Sequence, residues 1–259
     1  MKATIWIALT VTATGLFAQP APYSNASLKG PFVMVEEGFL QITPFTALGS
    51  LQFDGAGNVS GSETMQAIGV TYSGKVRGTH KINDDGTGSM GITITTLDDN
   101  PFTLSATYTL QVGARVATAE RADNGVIAIC DLRPAVTGNS STASLKGNFI
   151  FRSRGYLGAT PFALVGGLTT DGIGNASGNG AFQSLGLNLP VANKGTYLIN
   201  ADGTGWFTLN LTAVDEAGSL VWNHVINYSV NLSRDVARGL AQGIRTDAGT
   251  VGTAILSPR

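Results

Sequence analysis

The sequence is poor in the residue types on which metal, disulfide and nucleic-acid chemistry depend. It has one cysteine, Cys130, so an intrachain disulfide is impossible. Only two histidines are present, far apart, and they do not supply the three or four ligands of a zinc site. Charged residues make up 13% of the chain and the net charge is −1, which gives no electrostatic basis for binding nucleic acid. Past the N-terminal segment, no apolar run is long enough for a membrane helix.

The N-terminus has the pattern of a secretory signal peptide. Lys2 precedes an apolar run over residues 3–17, which ends at Ala18-Gln19-Pro20. We expect residues 1–18 to be removed, residues 19–26 to form a short leader, and the mature protein to be secreted, periplasmic or on the cell surface. The alternative is an N-terminal membrane anchor, although the run is shorter than the ~20 residues that a span needs.

An internal repeat defines the domain organisation. The segment Ser27-Leu28-Lys29-Gly30-x-Phe32 returns 117 residues later as Ser144-Leu145-Lys146-Gly147-x-Phe149, and about half of the positions in the surrounding segments are identical. A period this long matches a whole small domain. The sequence therefore predicts two similar domains, at residues 27–134 and 144–259, joined by a linker at residues 135–143.

Alternation of apolar and polar residues predicts that both domains consist of β-strands. In residues 102–110, for example, one face is apolar and the other consists of Thr and Ser. Copy 1 contains about eight such runs, roughly at residues 30–40, 46–53, 59–68, 74–83, 88–97, 102–111, 114–121 and 125–133. We predict an all-β fold of two tandem antiparallel domains with about eight strands each. Up-and-down β-barrels satisfy this pattern most simply, and two-sheet β-sandwiches are the alternative.

Asp-Gly segments between the runs predict tight hairpin turns. They include Asp54-Gly55 with its repeat Asp171-Gly172. A calcium loop is the alternative for the related turn segments, but such a loop starting at Asn83 would need a glutamate at Ile94. We therefore favour turns and expect neither a metal nor a cofactor.

One Arg-x-Asp-x-Gly pattern also recurs in both copies. It is Arg121-x-Asp123-x-Gly125 in copy 1 and Arg245-x-Asp247-x-Gly249 in copy 2. We interpret each Arg–Asp pair as a local ion pair that closes the last hairpin of its domain. Together with Gly30, Phe32, Gly147, Phe149 and the Asp-Gly turns, these residues are predicted to be structural.

The polar residues that could carry activity do not form a repeated set. Glu36 and Glu37 lie on opposite faces of one strand, so they cannot act as facing carboxylates, and we interpret them as solvated because they vary between copies. No acid, base and nucleophile are shared by both copies, which argues against an enzyme.

Four residues on apolar strand faces are the candidates for a ligand pocket. His224 lies where copy 1 has Leu104, and it is either a core histidine or a pocket residue. The candidate ligand-binding residues are Trp222, His224, Tyr228 and Tyr108.

The opening motifs around Gly30-x-Phe32 and Gly147-x-Phe149 resemble the first strand of calycin barrels, the lipocalin and avidin group. In that group a Gly-x-Trp closes the barrel base and an arginine near the last strand packs on it. The resemblance implies this role for Arg133 and Arg259, although Phe replaces Trp here. The tandem pattern also resembles exported bacterial repeat proteins of unknown activity.

These observations leave several functions open. The first is a non-enzymatic exported protein that binds a small apolar ligand or a surface partner. The second is a structural or adhesive cell-surface module, in which duplication adds valency. The third is an outer-membrane barrel of about sixteen strands, and the fourth is an enzyme built on a small barrel.

Overall fold

The computed structural model describes residues 22–67, 70–97, 101–113, 116–123, 125–214, 217, 219–234 and 241–259. The predicted signal peptide and residues 19–21 of the leader lie outside these ranges. Two short 3-10 helices, Asn25–Ser27 and Thr142–Leu145, precede the first strand of each copy. The sixteen strands are β1 Lys29–Leu40, β2 Thr43–Asp54, β3 Asn58–Ala67, β4 Val70–Ile82, β5 Thr87–Thr96, β6 Thr103–Val112, β7 Ala117–Asp123, β8 Val126–Pro134, β9 Lys146–Leu157, β10 Thr160–Asp171, β11 Asn175–Ser184, β12 Leu187–Ile199, β13 Thr204–Val214, β14 Leu220–Leu232, β15 Ala241–Arg245 and β16 Thr250–Pro258.

The strands form two closed barrels, which confirms the predicted all-β fold of two tandem eight-stranded antiparallel barrels. Strands β1–β8 form barrel 1 and β9–β16 form barrel 2. Each barrel closes between its first and last strands: Glu36 pairs with Cys130 in barrel 1, and Ser153 with Ala254 in barrel 2. The two closures occupy equivalent positions of the repeat. Across the described residues, no helix has the length and apolar character needed to cross a membrane.

Alternation along each strand fills the barrel interiors with the chain's own side chains. In β6, for example, Ala106, Tyr108 and Leu110 point inwards and are buried, while the Thr residues between them are exposed. Phe32 lies inside barrel 1, where its ring meets that of Phe53 edge-on at 5.2 Å. Phe149 takes the equivalent place in the core of barrel 2. Eight strands enclose a space that side chains can fill, and here they do so.

The Asp-Gly segments form hairpin turns held by the aspartate side chain. Oδ1 of Asp54 accepts hydrogen bonds from the N–H groups of Ala56 and Asn58, at 2.7 and 2.9 Å. Gly55 takes a φ of +77°, which favours glycine. The pKa of the Asp54 carboxyl falls because of its hydrogen bonds to the side chain and backbone of Asn58. The carboxylate therefore satisfies the turn's own donors.

Copy 2 repeats this turn. Oδ1 of Asp171 accepts N–H groups from Ile173 and Asn175 at 2.8 and 2.9 Å, and Gly172 has a φ of +81°. The first glycines of the two opening strands, Gly30 and Gly147, also have positive φ values, of +100° and +141°. The backbone conformation at these positions favours glycine.

The arginine packing implied by the calycin resemblance is wrong for this chain. Arg133 pairs with Val33, so its side chain points out of barrel 1, whereas Phe32 points in. The Arg133 guanidinium lies 3.1 Å from the Asp131 carboxylate on the same strand. Arg259 follows β16 and is exposed. The strand's two-residue period puts Phe32 and Arg133 on opposite sides of the sheet.

The two barrels dock side by side. Val33 and Leu48, on the outer face of β1–β2, pack against Ile244 on the outer face of β15. The amide of Asn231 donates to Ser50 Oγ at 2.8 Å, and the amide of Gln66 donates to the Thr250 carbonyl at 3.3 Å. Apolar contact and hydrogen bonds to buried groups therefore hold the barrels together.

Candidate functional site

A cleft of about 760 Å³ lies between the barrels. Barrel 1 contributes residues of β1, β7 and β8 and of the start of β2, and barrel 2 contributes residues of β9, β10 and β16. Most of its lining side chains are apolar, including Phe39, Ile127, Tyr156, Pro161 and Val251. Sites for small molecules are typically mostly apolar concavities of roughly 300–1,000 Å³ with a few polar groups. The cleft fits that description.

The polar groups of the cleft are Thr46, Glu120, Arg121 and one ion pair on its wall. Arg154 pairs with Glu37, with Nε of Arg154 3.3 Å from Oε2 of Glu37. Thr253 donates its hydroxyl to the same Oε2 at 3.1 Å. The carboxylate and the guanidinium neutralise one another, so the cleft carries little net charge at this wall. Nearby, Phe39 and Tyr156 meet edge-on, with ring centroids 5.9 Å apart.

The four predicted ligand-binding residues do not share one site. Tyr108 lies inside barrel 1, and the other three lie in barrel 2. Tyr228 is fully buried, and its hydroxyl donates to Ser153 Oγ at 2.9 Å. Burial raises the pKa of Tyr228 to about 12. Tyr108 and Tyr228 thus belong to the packed interiors of different barrels.

Trp222 and His224 are connected to the cleft through a series of stacked rings. Trp222 stacks on Phe182 at 4.9 Å and on His224 at 5.7 Å. Phe182 in turn stacks on Phe162 at 6.0 Å, and Phe162 lines the cleft. Trp222 and His224 therefore pack behind Phe162, which lines the cleft.

The histidine itself is held by a buried arginine. Arg245 Nη2 lies 3.2 Å from His224 Nε2 and also pairs with Asp247. Burial, helped by the Arg245 charge, lowers the pKa of His224. The neutral imidazole therefore accepts a hydrogen bond from Arg245, and the Arg–Asp pair lies at the last hairpin of barrel 2.

A second group of polar residues lies inside barrel 1 and corrects our interpretation of Glu36. Glu36 is fully buried rather than solvated. Its carboxylate accepts a hydrogen bond from the Tyr108 hydroxyl at 2.9 Å and lies 3.4 Å from Arg121 Nη1. Arg121 also forms the local pair with Asp123, at 2.5 Å. Burial raises the pKa of Glu36, and the Arg121 charge opposes that rise.

Glu63 completes this buried cluster, and the sequence reasoning missed it. Burial, together with the Glu36 charge, raises the pKa of Glu63 to about 8, and its Oε2 has no hydrogen-bond partner. Burial also raises the pKa of the Cys130 thiol well above its usual value. Copy 2 has Ser153 and Gly180 at the positions of the two glutamates. The fold therefore does not require either carboxyl group.

The alternation of residues along β1 and β3 predicts that both glutamates face the inside of the barrel. Glu36 follows Phe32 and Met34 at two-residue steps, and both of those residues are in the barrel 1 core. Glu63 follows Val59 in the same way. A charged residue in register with core residues is either buried or at a barrel mouth, and Glu36 and Glu63 are buried.

Within the described ranges, no group of three or more His, Cys, Asp or Glu residues is placed to hold a metal ion. No protein-family model matches the chain, and no curated protein matches it either.

Proposed function

We propose that the protein is an exported, non-enzymatic binding protein that holds a small apolar ligand in the cleft between its barrels. The observation that carries this proposal is the cleft itself, about 760 Å³ in volume, with a mostly apolar lining and a few polar groups that include the Glu37–Arg154 ion pair. An apolar ligand gains free energy from leaving water, roughly 25 cal/mol for each Å² of apolar surface buried. The Glu37–Arg154 pair would orient a single polar group of that ligand.

The barrel interiors support the same choice of site. In calycin barrels the resemblance would place a ligand inside the barrel, but here phenylalanine, leucine and tyrosine side chains fill both cores. The ligand of our proposal lies where the two barrels meet, against residues of both. The duplication is then necessary for the binding site, because neither barrel forms the cleft alone.

The buried cluster of barrel 1 favours binding over catalysis. Glu36, Glu63, Tyr108 and Arg121 include groups with strongly shifted pKa values, which often mark active sites. All four are buried, Glu36 completely, and of the four Arg121 alone lines the cleft. A general acid or base must come within hydrogen-bond reach of its substrate, and these carboxyl groups do not face the cleft or the solvent.

The first test is native mass spectrometry of residues 19–259, purified without detergent from the export compartment of the natural host. A co-purified apolar molecule would support the proposal and identify the ligand class. Titration with the neutral apolar dye N-phenyl-1-naphthylamine then measures whether the purified chain has a saturable apolar site. Failure of both experiments to detect binding would contradict the proposal.

Two matched variants locate the site. Tyr156→Ala removes an aromatic wall of the cleft, whereas Tyr72→Ala removes a ring that packs edge-on against Phe102 elsewhere on barrel 1, at 5.3 Å. We expect Tyr156→Ala to weaken dye binding about tenfold, equivalent to about 1.4 kcal/mol, and Tyr72→Ala to leave it unchanged. Equal loss in both variants, or no loss in either, would mean that the dye binds elsewhere.

A further inference from the structure

The docking of the two barrels uses different faces of two similar domains. Barrel 1 contributes the outer face of β1–β2, with Val33 and Leu48 buried to 2% and 5% exposure. Barrel 2 contributes the outer face of β15–β16, with Ile244 and Val251 at 0% and 2%. The contact is therefore heterologous: each partner uses a surface that its neighbour does not use. Such contacts can be repeated from one molecule to the next.

Because the barrels are repeats, each also has a face equivalent to the one that the other barrel uses in docking, and within one chain this equivalent face is uncovered. In barrel 2 the positions of Val33 and Leu48 are occupied by Ile150 and Val165, which are 41% and 51% exposed. In barrel 1 the position of Val251 is occupied by Ile127, which is 75% exposed. These apolar residues lack the cover that their counterparts have.

We propose that a second copy of this chain covers these faces. The free β7–β8 face of barrel 1 (Glu120, Ile127 and Ile129) would dock on the free β9–β10 face of barrel 2 (Ile150, Arg152 and Val165) of another copy. The docking of barrel 1 on barrel 2 within one chain is the template for this contact between copies. Contiguous exposed apolar residues on a folded protein commonly mark a protein interface.

At two positions where the free faces differ from the template, the residues carry opposite charges. In the template, Val35 packs against the cluster that contains Ile244. The equivalent of Val35 is Arg152, and the equivalent of Ile244 is Glu120; both are exposed. Between two copies, one apolar contact is thus replaced by an opposite-charge pair rather than by a clash. Complementary charges across an interface favour the correct partner and orientation.

A glutamine that is shared by the two copies supports the same docking. Gln66 is buried in the template, where its amide donates to the carbonyls of Asp247 and Thr250. The repeat retains it as Gln183, which is exposed. The equivalent acceptors in barrel 1 are the backbone carbonyls of Asp123 and Val126. They can accept the same hydrogen bonds from another copy.

The net charges of the barrels also favour contact between unlike barrels. Residues 27–134 hold seven basic and eleven acidic residues, a net charge of −4. Residues 144–259 hold eight basic and six acidic residues, a net charge of +2. Pairing of barrel 1 with barrel 2 is therefore attractive, whereas pairing of two barrel 1 domains is repulsive at short range.

Both free faces border the same cleft. Ile127 and Ile129 line it from barrel 1, and Arg154 and Tyr156 on β9 line it from barrel 2. A second copy docked on either face would therefore lie next to the cleft. This inference does not depend on the proposed ligand, because the faces are complementary whether or not the cleft is occupied.

Light scattering coupled to size exclusion tests the proposal directly on residues 19–259. We expect a discrete oligomer of at least two copies, and a monomer at all micromolar concentrations would overturn the proposal. Ile127→Asp and Val165→Asp should each give a monomer, since each puts a charge in one free face. Leu198→Asp is the matched control, because Leu198 is an exposed apolar residue on β12, away from both faces. Oligomers unaffected by Ile127→Asp and Val165→Asp would overturn it.

Mixing the two monomeric variants separates this arrangement from any symmetric interface. Ile127→Asp retains an intact β9–β10 face, and Val165→Asp retains an intact β7–β8 face. The mixture should therefore form a one-to-one complex, although neither variant associates alone. A mixture that stays monomeric would show that the contact is not the heterologous one proposed here. In the same way, Glu120→Arg and Arg152→Glu should each weaken the oligomer, and the double variant should restore it.

Discussion

The buried carboxyl group of Glu63 predicts that barrel 1 loses stability as pH rises. An unfolded glutamate has its ordinary pKa near 4.5, whereas burial and the neighbouring Glu36 charge raise the pKa of folded Glu63 to about 8. Between these values the folded state holds a proton that the unfolded state has released. The free energy of unfolding therefore falls as pH rises from about 4.5 to 8 and levels off above that value.

The size of the effect follows from the shift. Each unit of pKa difference corresponds to about 1.4 kcal/mol, so Glu63 should cost the fold on the order of 4 kcal/mol at pH 9 relative to pH 4. Arg121 limits the cost because its charge lies close to the cluster and stabilises a carboxylate there. Glu36 shares the same surroundings, so the two carboxyl groups titrate as a pair, and Glu36 carries the charge because Arg121 and Tyr108 hold it.

The variant Glu63→Gln isolates this effect, since an amide keeps the shape of the protonated acid and cannot ionise. Denaturant unfolding at pH 5 and pH 9, followed by circular dichroism, measures the free energy of unfolding. We expect the wild type to be less stable at pH 9, and Glu63→Gln to remove most of the difference. Asp84→Asn, in the exposed turn between β4 and β5, is the control and should behave as the wild type.

The positions of the tryptophans add an internal reference. Within residues 19–259 both tryptophans, Trp206 and Trp222, lie in barrel 2. Their fluorescence follows barrel 2, which lacks the two glutamates, so it should be less sensitive to pH than circular dichroism. An unfolding midpoint that does not change between pH 5 and pH 9, or an equal pH dependence in Glu63→Gln, would refute the reasoning.

Three further predictions follow from single contacts. Asp247→Ala leaves the buried Arg245 guanidinium without its carboxylate, and should destabilise barrel 2 by about 3–5 kcal/mol, measured by tryptophan fluorescence during denaturation; an effect below ~1 kcal/mol would mean that the pair contributes little. Gly61→Ala should prevent normal pairing of β2 with β3, since a Cβ there would lie 2.1 Å from the Ser50 carbonyl oxygen; an unchanged melting temperature would contradict this. The buried Cys130 thiol should resist Ellman's reagent in the folded protein and react only on unfolding, so fast labelling of the native chain would contradict its burial.

Much of the fold could be predicted from the sequence because each strand encodes its own inner and outer faces. The eight runs of copy 1 correspond to the eight strands of barrel 1, and the Asp-Gly segments lie at turns such as that of Asp54. Copy 2 followed from the repeat. The interpretation of Glu36 as solvated was wrong because its register with Phe32 and Met34, and not its variation between copies, determines the side of the sheet that it faces.

The cleft could not be predicted, because it depends on how two rigid domains dock. The alternation in β8 correctly puts Ile127 and Ile129 on the outside, but nothing in a strand pattern says whether an outer face meets water or another barrel. Docking depends on the joint shape of several strands from both copies. Of the four candidate ligand-binding residues, Tyr108 and Tyr228 lie in the barrel interiors, and none of the four lines the cleft itself.

The two copies serve as references for one another, which helps to separate the demands of the fold from those of function. Gly61 and Gly178 are retained because a Cβ would strike a neighbouring carbonyl in either barrel. Glu63 is not retained: its counterpart Gly180 shows that the barrel closes without a carboxyl group. The pair Arg152 and Glu120 replaces Val35 and Ile244 on faces that the single chain leaves open. In the contact between copies that we propose, these two exposed positions would face one another with opposite charges.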